Sequence, residues 1–148
     1  MPPPITPFVG CDTFITDDAG RVLLIRRAYN GFWALPGGAL DLNETPAECA
    51  ARECLEETGL HVRITRLLGV FSSLRYEEVN YPFKGRVHCH ILFQGEPIGG
   101  AALSRTEETS ALAWFAEDEL PSLSDGHEPR IRTGFRLLRD VRASPYFE

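Results

Sequence analysis

The chain has 148 residues, 43% of them hydrophobic, and a formal net charge of −6. That length supports one globular domain with a true core. No apolar run approaches the roughly 18 residues that cross a membrane, and the acidic balance argues against general nucleic-acid binding through a basic surface.

Residues 1–7 contain three consecutive prolines and lack the basic and apolar stretches of a signal peptide, so they read as a stiff tail ahead of a domain spanning 8–148. Residues 8–16 form an apolar, β-rich run expected as a buried strand; 17–20 read as a turn, and 22–26 as the returning strand of a hairpin. Arg26 and Arg27 follow, and either contact substrate phosphate or end the strand in solvent. Residues 31–35 read as a short strand leading to Pro36-Gly37-Gly38, a turn by its glycines.

The next stretch concentrates the charge: residues 38–60 hold six acids and a single arginine, a net −5. Thr45, Pro46 and Glu48 form a helix start by capping and by proline at the first helical position, and Gly59 is the stop, giving a helix over 46–58. At helical spacing Glu53, Glu56 and Glu57 share one face, opposite an apolar face of Ala47, Ala51, Cys54, Leu55 and Thr58. Like charges so placed repel, and Arg52 offsets only one of them. The stripe is either a solvated acidic face or a site for a divalent cation. The adjoining Pro-Gly-Gly segment favours the cation, and hard oxygen ligands select Mg²⁺ or Mn²⁺.

Beyond the helix, 62–74 reads as a long strand bent at Gly69, and 75–85 as a loop carrying Tyr76, Tyr81, Pro82 and Phe83, which either borders a site or anchors an ordinary surface loop. Residues 86–94 alternate: Val87, Cys89, Ile91 and Phe93 are the expected core face, while Arg86, His88, His90 and Leu92 face a substrate cleft. The His88-Cys89-His90 run reads as ordinary strand rather than as a metal cluster, because the cysteine points away from the histidines. Residues 95–100 read as a turn-rich link, 111–116 as a strand, 117–120 as a short helix, and 130–141 as an amphipathic helix with Ile131, Phe135, Leu138 and Val141 inward. Arg132, Arg136 and Arg139 are expected in solvent. The four cysteines form no CxxC pair and suit reduced thiols in a cytoplasmic protein.

Gly38, five residues, Glu44, seven residues, then Arg52-Glu53-Cys54-Leu55-Glu56-Glu57-Thr58-Gly59-Leu60 resembles a complete Nudix box, with Trp33-Ala34-Leu35-Pro36-Gly37-Gly38 as its lead-in. Two positions depart from the usual pattern: Asn43, where glycine is common, and Cys54, where an aliphatic residue is usual. The resemblance, to the MutT-like Nudix hydrolases, implies an α/β fold: the Nudix α/β/α sandwich, a mixed β-sheet between helices. It implies metal-dependent hydrolysis of a diphosphate bond, with Mg²⁺ or Mn²⁺ held by Gly37, Gly38, Glu53, Glu56 and Glu57. Glu44 and Arg52 would brace the loop and helix, and Glu108 resembles an outlying catalytic glutamate, although Glu107-Glu108 also reads as surface charge. Substrate contacts are expected from Arg26, Arg27, Tyr76, Arg86 and His88.

The implied substrate is a small nucleotide, a nucleoside diphosphate linked to a second group such as ribose, choline or sugar. The rivals are damaged nucleoside triphosphates and, from Tyr76, dinucleoside polyphosphates. A reading of another class is a Nudix-fold binding or regulatory module; such modules usually lack some box glutamates, and all are present here. The protein is expected to act as a monomer or homodimer without a membrane partner.

Overall fold

A computed structural model of the protein describes residues 7–79 and 86–148; the expectations for the proline-rich start and for Tyr81, Pro82 and Phe83 lie outside them. Two sheets make up the β structure. In the five-stranded sheet, β1 (Phe8–Phe14) pairs antiparallel with β4 (Gly37–Ala39) and parallel with β6 (His88–Gly100). Beyond β6 lie β5 (Leu60–Ser72), antiparallel to it, and the edge strand β8 (Tyr146–Phe147), parallel to β5. The second sheet is antiparallel, with β2 (Val22–Arg27) between β3 (Trp33–Ala34) and β7 (Thr109–Phe115). Helix α1 (Pro46–Thr58) lies on β1, β4 and β5, and α2 (His127–Leu138) packs on β5.

Strand periodicity explains the layering. Side chains alternate across a strand, and both faces of β1 and β2 are buried. Val22, Leu24 and Phe14 join the cluster containing Ile131, Phe135 and Leu137 of α2. Leu23 and Ile15 join Cys54 of α1, and Cys11 packs with Cys49 and Ala50. The strands therefore form a middle layer between two helices, the α/β sandwich that the resemblance implies. Phe14 meets Phe135 edge to face at 5.2 Å between ring centroids.

Several local expectations change. Residues 8–16 and 22–26 do not form a hairpin within one sheet: beyond the Thr16–Val22 bridge the chain crosses to the second sheet, where β2 finds β7. Residues 95–100 are no link, for β6 runs through them and stays paired to β5, with register irregularities absorbing the glycines and proline. The bend expected at Gly69 coincides with one such shift, between Leu67 and Gly69. On β6 both faces are packed: Ile91 and Phe93 lie against the Cys11, Cys49 and Ala50 cluster as expected, and on the other face His90 lines a cleft. His88, His90 and Leu92 are buried, while Cys89, Ile91 and Phe93 are half-buried and Val87 is exposed. Leu55 is exposed on α1, and α2 ends before Val141, which is 77% exposed. Among the described residues no helix is long and apolar enough to cross a membrane.

Candidate active site

The box folds around its helix ends. Glu48 N–H donates to the Thr45 hydroxyl at 3.2 Å, Pro46 occupies the first turn, and Gly59 closes the helix at φ 78° with its N–H on the Leu55 carbonyl. Arg52 ties the preceding loop to the helix. Its Nε and Nη2 donate to both Glu44 oxygens at 2.9 and 2.8 Å, Nη2 reaches the Ala39 carbonyl at 3.2 Å, and Nη1 lies 3.0 Å from Glu53 and 3.3 Å from Glu56. These hydrogen bonds hold the Glu44 carboxyl down at about 2. Asn43 sits at φ 68°, a left-handed conformation that asparagine tolerates and glycine adopts freely, which accounts for the departure at that position.

Gly37 and Gly38 are not a turn. Both lie in β4, paired with Asp12 and Cys11, and neither has positive φ. Their need for glycine is spatial: a Cβ on Gly37 would collide with the Asp12 carboxylate, and one on Gly38 would stand 2.5 Å from that of Glu53. Cys49 Sγ–H reaches the Gly38 and Ala39 carbonyls at 3.7 and 3.5 Å, fixing this strand from the helix side.

β1, β4, β6 and α1 together frame a cleft of about 670 Å³. Glu53 and Glu57 of α1, Gly37, Gly38, Asp12 and His90 line its deeper part; Arg27, Tyr29, Glu107 and Glu108 line the rim. Burial raises the Glu57 carboxyl well above its ordinary value, against one Gly37 N–H donated at 2.8 Å, and Glu53 adds to the rise. Burial likewise raises Glu53, which Arg52 partly offsets. Glu56 is 58% exposed, bonds Arg52 and does not line the cleft.

The other residues expected to touch substrate are dispersed. Arg27 lines the cleft, with Nε on the Ser124 hydroxyl at 3.1 Å. Arg26 projects elsewhere, to Ser110 at 2.9 Å. Arg86 covers the Phe8 ring, and Tyr76 packs near His88 and Gly126, away from the cleft. His88 is buried behind His90.

Sequence reading missed the buried network beneath the glycines. Arg130 Nη1 donates to Asp12 Oδ2 at 2.6 Å, and His90 Nδ1 approaches the same oxygen at 3.1 Å. Although burial alone would raise it, the Arg130 charge and His90 hold the Asp12 carboxyl far below the usual carboxylate range. Burial, with the Arg130 charge, pushes His90 down to about 4. His90 Nε2 lies 3.1 Å from His88 Nδ1, and His88 Nε2 meets Glu78, so the two imidazoles form a chain between the Asp12 and Glu78 carboxylates. His127, buried and held neutral by burial and the Arg130 charge, accepts the Leu35 N–H at 3.1 Å.

All-oxygen donors, two of them desolvated carboxylates beside a glycine strand open to close approach, fit a hard divalent cation. Among the described residues no three His, Cys, Asp or Glu side chains already converge as a ligand cage. Glu53 and Glu56 are turned onto Arg52.

The NUDIX domain family matches residues 6–138. This chain belongs to the Nudix hydrolase family. It is 39% identical over 106 residues to a MutT-like protein of Streptomyces ambofaciens, a match covering 72% of this chain but only 62% of that relative. It is 36% identical over 133 residues to an ADP-ribose pyrophosphatase of Methanocaldococcus jannaschii, covering 88% of this chain and 74% of the other. Among solved structures, that of a UDP-X diphosphatase superposes with a TM-score of 0.83 at 26% identity, over 99% of this chain and 69% of its own. The Nudix box thus sits in its family's fold, with Glu53 and Glu57 facing the cleft and Glu44 and Arg52 bracing it from behind.

Proposed function

We propose that this protein is a divalent-metal-dependent pyrophosphohydrolase that cleaves the diphosphate bridge of a nucleoside diphosphate linked to a second group. The balance of charge on the cleft wall carries this reading. Asp12, Glu53, Glu57, Glu107 and Glu108 line it, and among the described residues Arg27 is the only cationic side chain that does. A diphosphate diester brings about two negative charges, whereas a triphosphate or polyphosphate tail brings about four or more and needs several basic side chains to receive it. Names among the relatives include ADP-ribose pyrophosphatase and UDP-X diphosphatase, of the diester class, beside 8-oxo-dGTP diphosphatase, of the triphosphate class, so it is the charge of the cleft that favours the diester.

Glu53, Glu57 and the backbone at Gly37 and Gly38 would hold Mg²⁺ or Mn²⁺, with Glu56 joining once released from Arg52. Such an ion supplies charge neutralisation at the phosphate oxygens and a more acidic water. Arg27 lines the same cleft as Glu57, which supports a role for it in receiving the second phosphate. Glu108, fixed by its carbonyl to the Ala28 N–H at 3.0 Å, presents a rim carboxylate to take up a proton from the attacking water. The four free thiols suit action in a reducing cytoplasm.

The test is product chromatography over ADP-ribose, a nucleotide sugar, a dinucleoside tetraphosphate, and normal and oxidised nucleoside triphosphates, with Mg²⁺, Mn²⁺ or chelator. Chelator-sensitive cleavage of the diesters well ahead of the triphosphates is expected. A preference for triphosphates, or no metal-dependent cleavage at all, would overturn the proposal.

A further inference from the structure

The rim of the cleft carries an aromatic ring that diphosphate chemistry leaves unused. Tyr29 lines the cleft yet is 57% exposed. It stands in the loop of residues 28–32 between β2 and β3, and that loop is tied by several hydrogen bonds. Arg27 N–H donates to the Phe32 carbonyl at 2.9 Å, Gly31 N–H to the Arg27 carbonyl at 2.9 Å, and Phe32 N–H to Asn30 Oδ1 at 3.0 Å. Ala28 N–H joins the loop to Glu108, and Gly31 takes the left-handed turn at φ 74°.

The ring is also backed. The Arg27 guanidinium lies 5.9 Å from its centroid, itself tethered to Ser124. Phe8, the other aromatic on the cleft wall among the described residues, is committed: it stacks on His88 at 4.8 Å and lies under the Arg86 guanidinium at 5.2 Å. Tyr29 thus offers a pre-oriented ring with open surface, next to the side chain that would meet a phosphate. Glu107 and Glu108, close by on the rim, can accept hydrogen bonds from amino and hydroxyl groups.

We propose that Tyr29 is a specificity-determining residue on whose open ring the nucleobase of the substrate stacks, while Arg27 holds the adjacent phosphate. This rests on the nucleotide-substrate reading above. Arg27 and Tyr29 are near neighbours on one wall, so phosphate and base are read by one hairpin loop, while Phe8, the other phenyl-type ring on the cleft wall among the described residues, is already covered. The enzyme would then recognise its substrate by a planar base and tolerate variation in the second group. Stacking on an aromatic side chain changes affinity by about 5- to 100-fold per base.

The experiment compares binding of AMP and ribose 5-phosphate by calorimetry in Mg²⁺, for the unmodified protein, Tyr29→Ala and Tyr29→Phe. KM is measured in parallel for ADP-ribose and for a diphosphate diester bearing ribosyl groups but no base. The unmodified protein should prefer AMP. Tyr29→Ala should shrink that preference, and the matching KM ratio, by at least about fivefold, and Tyr29→Phe should keep both. Overturning results are an unmodified protein that binds AMP no better than ribose 5-phosphate, a preference untouched in Tyr29→Ala, or an equal loss for both ligands. If neither diester is cleaved while AMP is still preferred through Tyr29, the hydrolase reading fails and the stacking site stands.

Discussion

At Glu57 the carboxylate is almost sealed from water, receives one backbone N–H and faces the charge of Glu53. Its folded-state pKa is raised, so the neutral acid suits the fold. Without metal, this group favours folding below its unfolded value of about 4.3 and costs stability as pH rises beyond it. Replacing it by glutamine keeps the shape and the acceptor for Gly37 N–H while removing the charge. Glu57→Gln should therefore melt higher than the unmodified protein in chelator at pH 7.5, lose most of the melting shift caused by Mg²⁺, and turn over at least about 100-fold more slowly. Thermal scans with and without Mg²⁺, beside steady-state rates, check this. Near-normal turnover would remove Glu57 from the site.

The box as an element depends on one arginine. Arg52 is half-buried between the 40–45 loop and α1 and bonds Glu44 twice, Ala39 once and the Glu53 and Glu56 carboxylates. Arg52→Gln strands Glu44 and Glu53 without their counter-charge, which should lower the urea midpoint in chelator. Because a cation can replace part of the lost charge, Mg²⁺ should raise the urea midpoint of this variant more than that of the unmodified protein. An equal Mg²⁺ effect in both would show that the arginine and the ion do not share those carboxylates. This element was the most legible part of the sequence, since its cap, proline, stop glycine and acidic stripe are local signals within a few residues. Even there, Gly37 and Gly38 were misread. Sequence favours the usual use of glycine in turns, whereas the actual constraint comes from Asp12 and Glu53, one of them distant in sequence. The Asp12–His90–Arg130 network left no local trace, because its members are 78 and 118 residues apart and each resembles an ordinary strand or helix position. The departure of β2 to the second sheet was hidden for the same reason: its partner β7 lies about 90 residues away in sequence.

Across the whole molecule, that network joins β1, β6 and the start of α2 through groups whose protonation differs between the folded and unfolded chains. His90 is pushed down to about 4 and His127 also lies well below its usual 6.5. Between those values the unfolded chain binds protons that the folded protein refuses, so stability falls as pH drops from about 6.5 toward 4. Asp12, held far below the carboxylate range, acts with the same sign further down: its contribution is full above about 4 and is lost as the unfolded chain protonates. Glu57 has the opposite sign, so the measurement belongs in the Glu57→Gln background. There the unfolding free energy from urea titrations should be level from pH 8 to 7, decline below about 6.5 by an amount on the order of 2–3 kcal/mol, and steepen below 4. Adding His90→Gln should flatten the first stage, because a neutral amide takes up no proton in either state, while the steepening from Asp12 persists. An unfolding free energy constant down to pH 5, or a decline unchanged by His90→Gln and by His127→Gln alike, would mean that the buried histidines are not what ties these three elements to pH.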